Sequence, residues 1–334
     1  MARFAAIQLF LFIQKVLWFF YTRDCSRYFP MFIKDSLEPG LNDQDFIHAM
    51  AGGEAFRVVL QPQHDLLTGA LVGAEALARW DHRQYGEIAP SVFIPALTRL
   101  GGEPWLFKQM VRQIQAVLWV LLEADAACPI SVNTSVATLS IPGLLRQLES
   151  SLSESRIPPR LMKIEITEDL AIDDLKGLAD ELHWMRAQGF GISMDDFGIG
   201  TSTLERLTQL PFTELKIDRS FVLRMLDEPA AGAVVRAALD LGNVLEMDVV
   251  AEGIECAEQI LLLREFGGRV GQGYGLGAPM EVETFIAYAL AAAGRCERRS
   301  PLCGITGSLA KARHHSGDES APLEGVDAVA IPVS

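Results

Sequence analysis

Oxygen-bearing side chains stand at or near the ends of short apolar runs through the middle of the sequence. Glu75, Asn133, Glu165, the adjacent pair Asp195 and Asp196, and Glu252 supply carboxylates and one amide, and Lys216 adds an amine. Hard oxygen donors of this kind suit Mg2+ or Mn2+, whereas zinc favours His and Cys. Asp195 and Asp196 would repel each other if bare, and a bridging place between two cations relieves that repulsion. Two such cations suit in-line attack of water on a phosphodiester. Taken singly, each residue has a plainer explanation. A glutamate at a strand end commonly caps a helix or faces solvent. Asp195-Asp196 before Phe197-Gly198 could close a turn, and Lys216 with Asp218 could form a surface pair. The glycine alternation GQGYGLG at 271–277 is weak evidence for nucleotide binding by itself.

These residues meet only if the elements bring them together. From about residue 44, β-rich runs alternate with helical patterns: FRVVLQP (56–62), ALVGAEALARW (70–80), PISVN (129–133), LMKIEIT (161–167), FGISMDD (190–196), ELKID (214–218), MDVVAEG (247–253) and GRVGQGY (268–274). WLFKQMVRQIQAVLWVLLE, DDLKGLADELHWMRAQ and AAGAVVRAALDLGNVL are amphipathic connections between them. The first connection, HDLLTG, is too short for a crossover helix, so the first two strands form an antiparallel hairpin. The rest reads as βα units, which is an α/β fold. Eight runs with helices between them predict a closed (β/α)8 TIM-type barrel, with a doubly wound open sheet as the alternative. In such a barrel the parallel strand ends open on one face. Period-two alternation sets Glu165 against Ile164 and Ile166, Asp195 against Met194, and Lys216 against Leu215 and Ile217. All three then point into the barrel mouth.

With 334 residues, 49% hydrophobic and 22% charged, the chain has ordinary globular composition. Its net charge of −14 speaks against a partner of duplex nucleic acid. The cysteines at 25, 128, 256, 296 and 303 are odd in number and contain no C-x-x-C, which fits a reducing compartment. Residues 1–43 form an apolar N-terminal segment whose stretch 4–21, FAAIQLFLFIQKVLWFFY, is a candidate membrane anchor, interfacial helix or partner-docking helix. Lys15 near its middle opposes a spanning role, and the basic residues after it would leave the rest of the chain in the cytoplasm, at the inner membrane if the segment anchors. The span 291–334 reads as a disordered tail.

The motifs GAEALARW (73–80), VNTS (132–135), EITE (165–168), DDFG (195–198), LKIDRSF (215–221), VVAEGIE (249–255) and GQGY (271–274) resemble the EAL-domain family, in its order and spacing. LQPQ at 60–63 and FIP at 93–95 add to the likeness, which covers about residues 44–290. The resemblance implies a modified barrel with an antiparallel first strand and hydrolysis of cyclic di-GMP to linear pGpG with two Mg2+ or Mn2+ ions. By motif match, Glu75, Asn133, Glu165 and Asp195 would hold one ion, and Asp195, Asp196 and Glu252 the other. Lys216 would lie beside the attacking water, making Lys216 and Glu252 the catalytic pair. Gln61, Leu77, Arg79 and Gln272 would contact substrate, and Glu255 would brace the loop after DDFG. The family also implies a homodimer through the barrel.

Three departures bear on activity. Ile199, Gly200, Thr201, Ser202 and Thr203 replace the family's usual T/A-G-Y/F-S/A-S, Ala278 replaces a basic residue before Pro279, and Ala96–Arg99 replaces an acidic stretch. No metal ligand is lost, so catalysis is the leading expectation. A receptor that holds cyclic di-GMP without cutting it, or a protein-interaction module, is the alternative.

Overall fold

The structure is a computed structural model describing residues 41–53, 55–167, 175–198 and 203–299. Its strands are β1 (Ala55–Asp65), β2 (Leu71–His82), β3 (Gly86–Ile88), β4 (Ile130–Thr134), β5 (Met162–Thr167), β6 (Gly191–Phe197), β7 (Glu214–Ile217), β8 (Asp248–Ala251), β9 (Val270–Gly271) and β10 (Met280–Glu281). β1 pairs antiparallel with both β2 and β9, and β2 through β9, β3 aside, pair in parallel sequence. The sheet therefore closes into an eight-stranded barrel with β1 reversed, as the hairpin reading requires. β3 and β10 are additions outside the ring that the alternation pattern did not reveal.

The β1–β2 turn is specified locally. Asp65 Oδ1 accepts from Leu67 N at 3.0 Å, from Thr68 N at 2.7 Å and from the Thr68 hydroxyl at 2.9 Å, an Asx-type closure. The helices are α1 (Asp43–His48), α2 (Pro90–Arg99), α3 (Glu103–Glu123), α4 (Val136–Leu139), α5 (Leu144–Glu154), α6 (Leu175–Gln188), α7 (Thr203–Gln209), α8 (Arg219–Arg224), α9 (Pro229–Val244), α10 (Ala257–Glu265) and α11 (Val282–Arg299). α11 continues past residue 290, so the tail expected from 291 is corrected: its first nine residues are helical, to Arg299.

Alternation divides the strands into two faces. Ile130, Val132, Ile164, Ile166, Ile192, Met194, Leu215 and Ile217 are buried in one continuous apolar cluster with residues of α3, α5, α6 and α9. Their neighbours Ser131, Glu165, Ser193, Glu214 and Lys216 are buried too, but on the inward face, so the barrel interior is polar. Low in that interior Lys163 pairs with Glu214. A separate aromatic cluster of Phe46, Phe56, Trp80 and Phe93, with Trp105 against it, packs α1 and α2 on the β1–β2 hairpin.

Cys128 and Cys256 are free thiols. Among the described residues no helix is long and apolar enough to cross a membrane. The candidate anchor 4–21, residues 199–202 and residues 300–334 lie outside the described residues.

Candidate active site

Four inward carboxylates converge on one buried ammonium. Lys216 Nζ, on β7, lies 2.7 Å from Glu252 Oε1, 3.0 Å from Glu165 Oε2, 3.1 Å from Asp195 Oδ1 and 3.5 Å from Glu75 Oε2. Lys216 is 1% exposed and Glu165 0% exposed, so this is the dry centre of the barrel. Residues from β2, β5, β6, β7 and the end of β8 thus meet although they are spread over the sequence.

Burial is the largest influence on Lys216 and favours its neutral form, but Glu165, Glu252, Glu75 and Asp195 together outweigh it. They hold the ammonium well above the ordinary lysine value. Burial pushes Glu252 up to about 8 and Glu165 well above the usual carboxylate range, despite the pull of Lys216. For Glu75, burial acts upward but loses to Lys216, Gln272 and Asn133, so its carboxyl is held low.

The amides fix these carboxylates. Asn133 Nδ2 donates to Glu75 Oε1 at 2.8 Å, and Gln272 Nε2 donates to Glu75 Oε2 at 2.6 Å and to Gln61 Oε1 at 3.1 Å. Gln272 in turn accepts from Gln63 Nε2 at 2.9 Å. Its amide is therefore occupied in orienting Glu75 and Gln61. A pocket of about 240 Å3 opens above this centre, lined by Gln61, Glu75, Leu77, Asp195, Lys216, Arg219, Glu252, Glu255, Gln272 and Tyr274 among others.

Asp196 and Arg79 have local surroundings of their own. The β6–β7 register shifts between Met194 and Phe197, and Asp196 sits there at φ 59°. Arg79 Nη1 donates to the Ala78 carbonyl at 2.8 Å, and its Nε lies 3.7 Å from Glu87 Oε1. Glu87, on a strand that the alternation pattern did not anticipate, thus stands beside this guanidinium. Glu255 reaches Arg219 Nη2 at 4.0 Å; the loop it was expected to brace is among the residues not described.

Sequence reasoning passed over Arg219, Tyr274 and Gln259. The first two lie inside the motifs LKIDRSF and GQGY and line the pocket. Gln259 is buried, and its Oε1 accepts from Glu255 N at 2.7 Å and Cys256 N at 3.1 Å while its Nε2 donates to the Val222 carbonyl at 3.1 Å. One amide therefore ties the loop after β8 to α8. The same loop is pinned by close approach: a Cβ on Gly273 would fall 2.2 Å from Ile254 N. Replacing Gln259 with Leu orphans two loop N–H groups and one carbonyl. We expect a stability loss of about 1–3 kcal/mol or more, read by thermal unfolding, with Gln259→Glu losing less because it keeps the two acceptor contacts.

The donor set fits a divalent cation. Its chemistry is hard oxygen throughout, four carboxylates face one ammonium, and Glu165 Oε1 accepts no hydrogen bond. As placed, no three His, Cys, Asp or Glu side chains among the described residues stand at metal-holding spacing. The carboxylates are drawn to Lys216 Nζ instead.

Known proteins carry the same architecture. The profile of the EAL domain matches residues 44–279. The cyclic di-GMP phosphodiesterase RocR of Pseudomonas aeruginosa is 34% identical over 244 residues, which is 73% of this chain and 62% of RocR. The chain thus spans less than two thirds of that relative's length. The structure of the MucR phosphodiesterase in complex with cyclic di-GMP superposes with a TM-score of 0.65 at 32% identity, covering 72% of this chain and 98% of that one. The EAL enzyme Bd1971, bound to cAMP and cyclic di-GMP, gives a TM-score of 0.69 at 30% identity over 74% of this chain and 68% of that one. The lysine-centred barrel mouth, the ordered motifs and these likenesses agree, and the chain belongs to the EAL domain family.

Proposed function

We propose that this chain hydrolyses cyclic di-GMP to linear pGpG, with Mg2+ or Mn2+ as cofactor. The observation that carries the reading is Lys216 held within 3.5 Å of Glu75, Glu165, Asp195 and Glu252 under an open pocket. The relatives named above, at about a third identity, support the substrate. In the reaction the oxygen of water bonds to phosphorus and one phosphorus–ribose oxygen bond breaks. Glu75, Asn133, Glu165, Asp195, Asp196 and Glu252 would hold the cations. Bound divalent cations would supply Lewis acidity and a more acidic water.

The chain's own groups do the rest. Lys216 places a positive N–H donor where charge develops on the phosphoryl oxygens, in a dry setting where such a donor acts strongly. Gln272 and Asn133 keep Glu75 aimed. Gln61, Leu77 and Tyr274 line the space above, where Tyr274 is 70% exposed and offers a flat face to a base.

The test is purified full-length chain incubated with cyclic di-GMP and Mg2+ or Mn2+, with nucleotide products resolved by chromatography. Formation of pGpG that a Lys216→Ala control lacks is the expected result. Saturable binding without product would instead establish a receptor.

A further inference from the structure

We infer that Arg219 captures the substrate at the pocket rim by pairing with the phosphate that is not being cleaved. The inference rests on the cyclic di-GMP reading and adds a residue to which the motif match gives no role. Two cationic side chains line the pocket among the described residues, Lys216 and Arg219. Lys216 is sealed at the bottom among carboxylates, whereas the Arg219 side chain is 63% exposed at the mouth. A cyclic dinucleotide carries two phosphodiesters. With one over Lys216, the other needs a cation above the acidic floor, and Arg219 is the exposed one available in the lining.

Its stem is fixed and its head is free. Asp218 caps α8 by accepting from Ser220 N at 2.9 Å, which sets Arg219 as the first helical residue. Gly253, at φ 71°, lets the backbone pass where a Cβ would lie 2.5 Å from Arg219 Cβ. The guanidinium meets only the half-exposed Glu255 among its ion partners, at 4.0 Å. An exposed pair at that distance contributes little to stability, so exchanging Glu255 for a phosphate costs little. A planar fork suits two phosphate oxygens at once.

The experiment is calorimetric titration of the full chain with cyclic di-GMP over a range of NaCl concentrations, alongside pGpG assays. Arg219→Ala is expected to weaken binding ten-fold or more, to flatten the salt dependence of affinity, and to raise KM far more than it lowers kcat. Arg219→Lys, which keeps charge but not the fork, should recover part of the loss. Binding within two-fold of wild type overturns the assignment. So does a loss with unchanged salt dependence, which would place the guanidinium on a base edge. Should wild type bind without cleaving, the hydrolysis reading fails while the Arg219 comparison still decides this one. Wild type that neither binds nor cleaves overturns both.

Discussion

Replacing Lys216 by methionine should lower pGpG formation by about 10²–10³-fold or more, the cost of losing one preorganised donor at developing charge. The same change should raise the affinity for Mn2+. An ammonium within 3.5 Å of four ligand carboxylates opposes an incoming cation, and removing it removes that repulsion. In chelator the variant should be less stable by about 3–5 kcal/mol, because the carboxylates lose their buried counter-charge. In excess Mn2+ most of that difference should close. Two measurements check this: product formation, and thermal unfolding with EDTA or Mn2+. A variant that keeps a tenth of wild-type turnover, or that binds Mn2+ more weakly, contradicts the assigned role.

Cation binding should release protons. Burial pushes Glu252 up to about 8, so it must ionise to become a ligand, and burial raises Glu165 in the same direction. The sign follows: lower pH favours the protonated carboxyls and opposes the cation, so Mn2+ affinity rises with pH across the range below and through about 8. Titration in buffers of different ionisation heat counts the protons released. An affinity that is flat from mildly acidic to mildly alkaline pH would refute the scheme. Stripping cations with EDTA should take hydrolysis to background. At saturation near a hundred times Kd, restored Mn2+ should stabilise the chain by about 2.7 kcal/mol.

The parts of this site that follow a local period were legible in the sequence. Ile164-Glu165-Ile166 and Leu215-Lys216-Ile217 each state by alternation which side chain faces inward, and both faces are found as read. The six-residue HDLLTG connection likewise fixed the reversal of β1. What alternation cannot express is a break in the ladder. The register shift at Met194–Phe197, which spans Asp196, shows only in coordinates. β3 was hidden because Gly86–Ile88 is three residues long, and with it the approach of Glu87 to Arg79. Gln259 reads as an ordinary helix residue, since its partner carbonyl on Val222 lies 37 positions away.

The two faces of each strand divide the labour in this molecule. Cohesion resides in the annulus, where hydrocarbon from the strands meets the surrounding helices. The axis, filled by Glu, Lys, Ser and Gln, adds charge conflict rather than adhesive strength. Lumen exchanges that keep the charges balanced therefore leave the hydrocarbon scaffold untouched, whereas removal of one partner alone does not. In such a barrel, compensated exchanges in the bore alter chemistry while the hydrocarbon packing of the annulus stays as it is.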